Sequence, residues 1–237
     1  MYLSRNDIEK ISKDVIAEYM QLPRVVIQKD VTKIDPFILS ENLLGLKVDF
    51  KHLSEDKLTF GLTSYFNTLA PVLDDYNNVS LYPLDGKTIL IEKDLAFEPM
   101  VGKFNFTISH EAAHHILRKL FPKEYGPQVN QTNGIHFYRF NHKVEITDWE
   151  EWQATVLAAA ILMPKDLLKK NMITVGLGEK MHLLHTRYSE ENFFKFCRIS
   201  TMMGVSVTAL RIRMKYLGLL ERDFYCNPRG ILDIDYD

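Results

Sequence analysis

Five residues, His110-Glu111-Ala112-Ala113-His114, constrain this chain more than any other stretch of it. In an α-helix the residues at i and i+4 lie one above the other, so both imidazoles can reach a single ion from one face. The surrounding sequence supplies the helix. Ile108, Ala112, Ala113, Ile116, Leu117 and Leu120 form a broad apolar face, and Pro122 stops the pattern soon after. Glu111 projects from the neighbouring position, where it can accept a proton from a water polarised by Zn2+ and so act as general base.

A catalytic zinc needs a third protein ligand and an open position. The acidic and histidine residues nearby are His115, Glu124, His136, His142, Glu145, Asp148, Glu150 and Glu151. On the helix, His115 is rotated about 100° from His114 and points away. Glu151 is the best placed. It opens a second helix, from Trp149 to Met163, which ends at Pro164. Ala154 and Ala158 let that helix approach the first closely, which brings a carboxylate to the same ion. The expected ligands are therefore His110, His114 and Glu151, for one Zn2+ per chain. Such nitrogen and oxygen donors also suit Mn2+, Co2+ or Fe2+.

The rest of the sequence predicts an α+β protein: a small, twisted, mostly antiparallel sheet beside the two helices, with a C-terminal helical segment. At 237 residues, 46% hydrophobic and 25% charged, the chain has enough apolar mass for a sizeable core. Residues 1–165 are expected to form that core and 166–237 a helical segment packed on it as one folding unit. Ser4 and Asp7 suggest a capping box for a first helix ending before Pro23. A short helix fits Pro36 to Leu44, followed by a strand at Leu46, Val48 and Phe50 and another from Leu58 to Phe66. Asp85-Gly86 between two β-rich runs predicts a hairpin. Residues 121–147 read as a long excursion containing a strand near 135–140. The longest apolar run, Val156 to Met163, is far short of the ~20 residues a bilayer needs. Two cysteines, Cys197 and Cys226, and a charged N-terminus without an apolar signal segment lead to an expected cytoplasmic location.

The helices expected at 190–203 and 206–217 mimic a helix-turn-helix, with Arg211, Arg213 and Lys215 on the second. A net charge of −2 favours a packed helical pair with one solvated basic face over direct nucleic-acid binding.

The stretch Phe106-Thr107-Ile108-Ser109-His110-Glu111-Ala112-Ala113-His114, with Glu151, Ala154, Ala158 and Leu162-Met163-Pro164, resembles the two zinc helices of the ImmA/IrrE family of metallo-endopeptidases. Weaker similarity extends over most of residues 34–220. The resemblance implies a thermolysin-like zincin core and a regulatory peptidase whose protein substrate is a helix-turn-helix transcriptional repressor, commonly of a mobile element. Three departures stand out. Thr155 replaces the family's asparagine, which in thermolysin-like sites orients a ligating histidine, and a threonine hydroxyl can do the same. Leu157 replaces a phenylalanine. The gap between His114 and Glu151 is longer, and the extra segment offers Tyr138, His136 and His142 as candidate oxyanion stabilisers. Three rival readings are a metal-holding regulator that binds a repressor without cutting it, a DNA-binding protein using the 190–217 helices, and a zinc hydrolase of another class, such as an amidase.

Overall fold

A computed structural model of the chain describes residues 2–97, 100–125, 135–139 and 149–227, with 135–139 described as backbone. The architecture is α+β and divides into two compact units, Met1–Leu162 and Met163–Asp237.

The first unit opens on helix α1 (Arg5–Tyr19). The Ser4 hydroxyl accepts from the Asp7 N–H, and the Asp7 carboxylate accepts from the Ser4 N–H, so two otherwise orphaned donors are satisfied reciprocally. A four-residue helix α2 (Pro23–Val26) follows. The helix expected at Pro36–Leu44 is partly a wider, π-helical turn, Ile38–Leu43, in which the Leu44 N–H reaches back to Leu39 O. Gly45, at φ +68°, then swings the chain into β1 (Lys47–Lys51).

The main sheet has the order β1-β5-β2-β6, with β5 at Thr88–Glu92, β2 at Thr59–Ser64 and β6 at Ile135–Arg139. Strand β5 runs parallel to β1 and antiparallel to β2, and β2 runs antiparallel to β6. All five residues of β5 are buried, as the apolar core Ile89-Leu90-Ile91 of a central strand demands.

The hairpin expected around Asp85-Gly86 does not form. The strand before it, β4 (Val79–Asp85), pairs instead with β3 (Asn67–Leu73) in a separate two-stranded ribbon. Gly86 does take the positive φ that the sequence demands, +75°, but it turns the chain from one sheet into another. Pro83 in β4 lacks an N–H and suits a ribbon better than the sheet centre, whereas β5 needs cover on both faces. One face of the ribbon, Ala70, Val72 and Leu84, packs with Leu53, Leu62 and Leu90.

Two helices complete this unit. Helix α3 (Val101–Leu120) lies against β2 and β5, burying Ile108, Ala112, Ile116 and Leu117. Helix α4 (Trp149–Leu162) packs on α3, and Ala154 and Ala158 have no exposed surface. Its other flank is held by the N-terminus. The Leu3 N–H donates to Gln153 Oε1 at 2.8 Å, and the Tyr2 ring meets Trp149 edge-on and stacks on Trp152.

Among the described residues of the second unit there are three helices, in keeping with the helical segment expected there: α5 (Lys165–Thr174), α6 (Glu190–Met203) and α7 (Val207–Tyr216). It also contains a small parallel sheet that the sequence pattern does not announce, β7 (Met181–Leu184) with β8 (Leu220–Asp223). Gly204, at φ +64°, ends α6, and the Ser206 hydroxyl caps α7 by accepting from the Ala209 N–H. Among the described residues, no helix is long and apolar enough to cross a membrane.

Candidate metal centre

The i, i+4 spacing on α3 places His110 and His114 on one face, and both are buried. The first turn of α4 brings Glu151 against them. Its Oε2 lies 3.1 Å from His110 Nε2, its Oε1 lies 3.2 Å from His114 Nε2, and the two Nε2 atoms are 3.2 Å apart. The three residues thus offer three ligand atoms around one point.

These separations are compatible with an ion. Tetrahedral ligands bound at ~2.0–2.1 Å lie about 3.3 Å from one another; the two nitrogens have about that spacing, and each Glu151 oxygen has it from one of them. A shared proton explains the arrangement less well. Two imidazole nitrogens and a carboxylate converge on the same spot, and one proton can serve only one of those approaches. The nitrogen–oxygen donor set therefore suits a divalent cation.

Without an ion, the ligand residues pair with one another. Burial by itself opposes charge on both His114 and Glu151, but their mutual attraction prevails, raising the His114 pKa and lowering that of Glu151. The site is thus arranged to hold opposite charges close together. Glu111 sits beside it under opposite conditions. Burial is the main force pushing its pKa from 4.5 up to about 8, and the Glu151 charge adds to this while His114 offsets part of it. Both of its carboxylate oxygens are buried without a hydrogen-bond partner among the described residues. A buried, unpartnered carboxylate costs stability, and a strongly shifted group of this kind is a candidate functional residue.

This predicts a pH signature for the metal-free protein. The folded state keeps the Glu111 proton to about pH 8, whereas the unfolded chain releases it near 4.5. Stability from this group is intact below about 4.5 and declines as the pH rises to about 8. Glu111→Gln removes that decline. In thermal melts of metal-free protein at pH 8, the variant should exceed wild type by on the order of a few kcal/mol, with the gap closing near pH 4.5. Equal melting curves at both pH values would contradict the cost assigned to Glu111.

Three surrounding residues shape the centre. Thr155 Oγ1 lies 3.4 Å from His110 Nδ1, the position from which it can orient that ring. Glu150 lies 3.6 Å from His114 Nδ1, just beyond hydrogen-bonding distance, and accepts from the Tyr65 hydroxyl at 3.1 Å. That hydroxyl is also 3.3 Å from His114 O. His115 turns toward the sheet, where its Nε2 is 2.7 Å from Thr63 Oγ1, and takes no part in the ligand cluster.

Gly61, in β2, is the least visible contributor in the sequence. A Cβ there would press on Glu111 Oε1 and lie 2.8 Å from Thr107 Cγ2, so the missing side chain is the space in which Glu111 sits. Gly61→Ala should cost about 1–3 kcal/mol through overpacking, because the new methyl crowds Glu111 and Thr107. Metal affinity should change little, since no ligand lies among the atoms crowded by the new methyl. Parallel melts and metal titrations of this variant test both points. An unchanged melting temperature would show that Gly61 does not make the space around Glu111.

Of the remaining candidates, Tyr138 and His136 fall in β6, opposite Gly61 and Thr63 in the ladder. His142 lies outside the described residues. A second cluster, His52, Glu92 and Asp94, also brings possible ligand atoms together. It is an ion-pair network: Glu92 accepts from His52 and from the Leu53 N–H, and Lys57 pairs with Asp94. No family model matches this chain, and a search of curated proteins gives no match.

Proposed function

We propose that this chain is a zinc-dependent metallo-endopeptidase, with His110, His114 and Glu151 as ligands and Glu111 as general base. The observation that carries the reading is the convergence of three ligand atoms beside a buried, unpartnered carboxylate one residue from the first histidine. A bound Zn2+ supplies Lewis acidity that polarises both the scissile carbonyl and the attacking water. Glu111 takes a proton from that water as its oxygen bonds to the carbonyl carbon. It returns the proton to the amide nitrogen as the C–N bond breaks. Its burial against the bare backbone of Gly61 raises its proton affinity, which favours holding the proton between those two steps.

The ImmA/IrrE resemblance supports a narrower reading, a regulatory enzyme that cuts a helix-turn-helix repressor. For the DNA-binding rival, the basic residues of α7 are already engaged. Buried Arg213 donates from Nε to Met163 O at 3.0 Å, and Arg211 and Lys215 both pair with Asp223. These partners favour a packing role for α7.

The test is incubation of the zinc-loaded chain with repressors encoded beside its gene and with an unfolded protein such as casein. Cleavage that stops with a chelator and resumes on adding zinc is the expected result. A chain that holds zinc but cuts no peptide bond would favour the non-enzymatic regulator or the amidase.

A further inference from the structure

Strand β2 is the part of the main sheet that borders the metal centre. Gly61 faces Thr107 and Glu111, the Thr63 hydroxyl meets His115, and Tyr65 just beyond the strand reaches Glu150 and His114 O. On one side β2 is bonded to β5. Its other edge would present a row of N–H and C=O groups beside the ligands, the kind of edge to which an extended peptide adds as a further strand.

That edge is taken by β6 of the same chain. After α3 has delivered both histidines, residues 135–139 pair antiparallel with β2, and the chain then returns to α4 and Glu151. Ile135 stands opposite Ser64, His136 opposite Thr63, Phe137 opposite Leu62 and Tyr138 opposite Gly61. The register then slips. Arg139 pairs with Thr59, so an extra β2 residue falls between Thr59 and Gly61, beside the contact with Glu111. Such a bulge disrupts the ladder locally, and β6 is only five residues long. Short, irregular pairing is readily exchanged for an equivalent strand.

We propose that the edge of β2 is a docking surface for an extended peptide, and that residues 135–139 occupy it in cis as an internal stand-in which the incoming peptide must displace. The partner is an unfolded segment bound mainly through its backbone, antiparallel to β2. This deepens the peptidase reading and rests on it for its consequence, that β6 restrains access to the site. The docking step itself needs no catalysis.

The experiment therefore measures binding, with full-length chain carrying Glu111→Gln so that no peptide is consumed. The probe is a fluorescently labelled synthetic peptide with the sequence of residues 133–141, followed by anisotropy. Along an antiparallel strand, successive N–H groups point alternately toward and away from the neighbour. The pair His136→Pro and Phe137→Pro therefore removes a donor to β2 whichever way the ladder is phased. This variant should bind the probe at least tenfold more tightly than the chain with native β6.

A second variant guards against misfolding of the first. Ser64→Cys with Ile135→Cys joins two directly opposed positions, within the Cα separation a disulfide spans, in a chain also carrying Cys197→Ser and Cys226→Ser. Oxidation should abolish probe binding and reduction restore it. Equal binding by the oxidised and reduced forms, or no binding by either the proline variant or the reduced form, would overturn the proposal. Because Glu111 is absent from every protein compared, none of these results depends on whether the native chain cuts peptides.

Discussion

Glu111→Gln is expected to lower peptide-bond turnover by about 10²–10⁴-fold, the usual worth of a positioned general base, while the protein still binds zinc because all three ligands remain. Glutamine fills the same space but cannot accept the proton. The carboxylate makes no hydrogen bond among the described residues that the change would break, and it is not one of the three converging ligands. The same substitution should stabilise the metal-free fold at pH 8, because it removes a buried carboxylate whose proton binds up to about that pH. A residue that costs stability and supports the reaction is a strong functional assignment. If turnover persisted in the variant, Glu111 would not be the base and the metal would have a different role.

Glu151→Ala is the second large expectation. Its two oxygens are 3.1 and 3.2 Å from the two histidine nitrogens, so one carboxylate closes the ligand set. Loss of residues that merely support ligands typically costs 10–100-fold in metal affinity. Removing a ligand should exceed that, and we expect a fall of at least about 100-fold, read from metal content and a competitive zinc titration. Removal also leaves two buried imidazoles facing each other 3.2 Å apart without the carboxylate. Equal metal content in both proteins would move the third ligand to Glu150, whose carboxylate is 3.6 Å from His114 Nδ1.

The parts of this site that are local along the chain are legible in the sequence alone. The pairing of His110 with His114 follows from helix periodicity. Glu151 follows from its place at the opening of a helix with alanines at i+3 and i+7. Gly61 and Tyr65 are far along the chain from the atoms they touch, with Tyr65 separated by 49 residues from His114 and by 85 from Glu150, and nothing in their immediate sequence marks them. The turn at Asp85-Gly86 shows the same division. Its backbone conformation is legible, because only glycine takes that φ cheaply, but which strands it joins is decided by pairing across the molecule. Strands β7 and β8 leave no sequence signal because each is only four residues long, too short for a period-two pattern to emerge.

The grip of the N-terminus on α4 has an optical consequence. The chain has two tryptophans, Trp149 and Trp152, and both lie within two residues of Glu151. Their rings are 5.9 Å apart, with the Tyr2 ring against each. Nearly all the indole emission of the protein therefore originates in the turn of helix that carries the third ligand. Filling the centre should change the intensity or wavelength of that emission in proportion to occupancy, so the metal can be titrated by the light of the unlabelled chain.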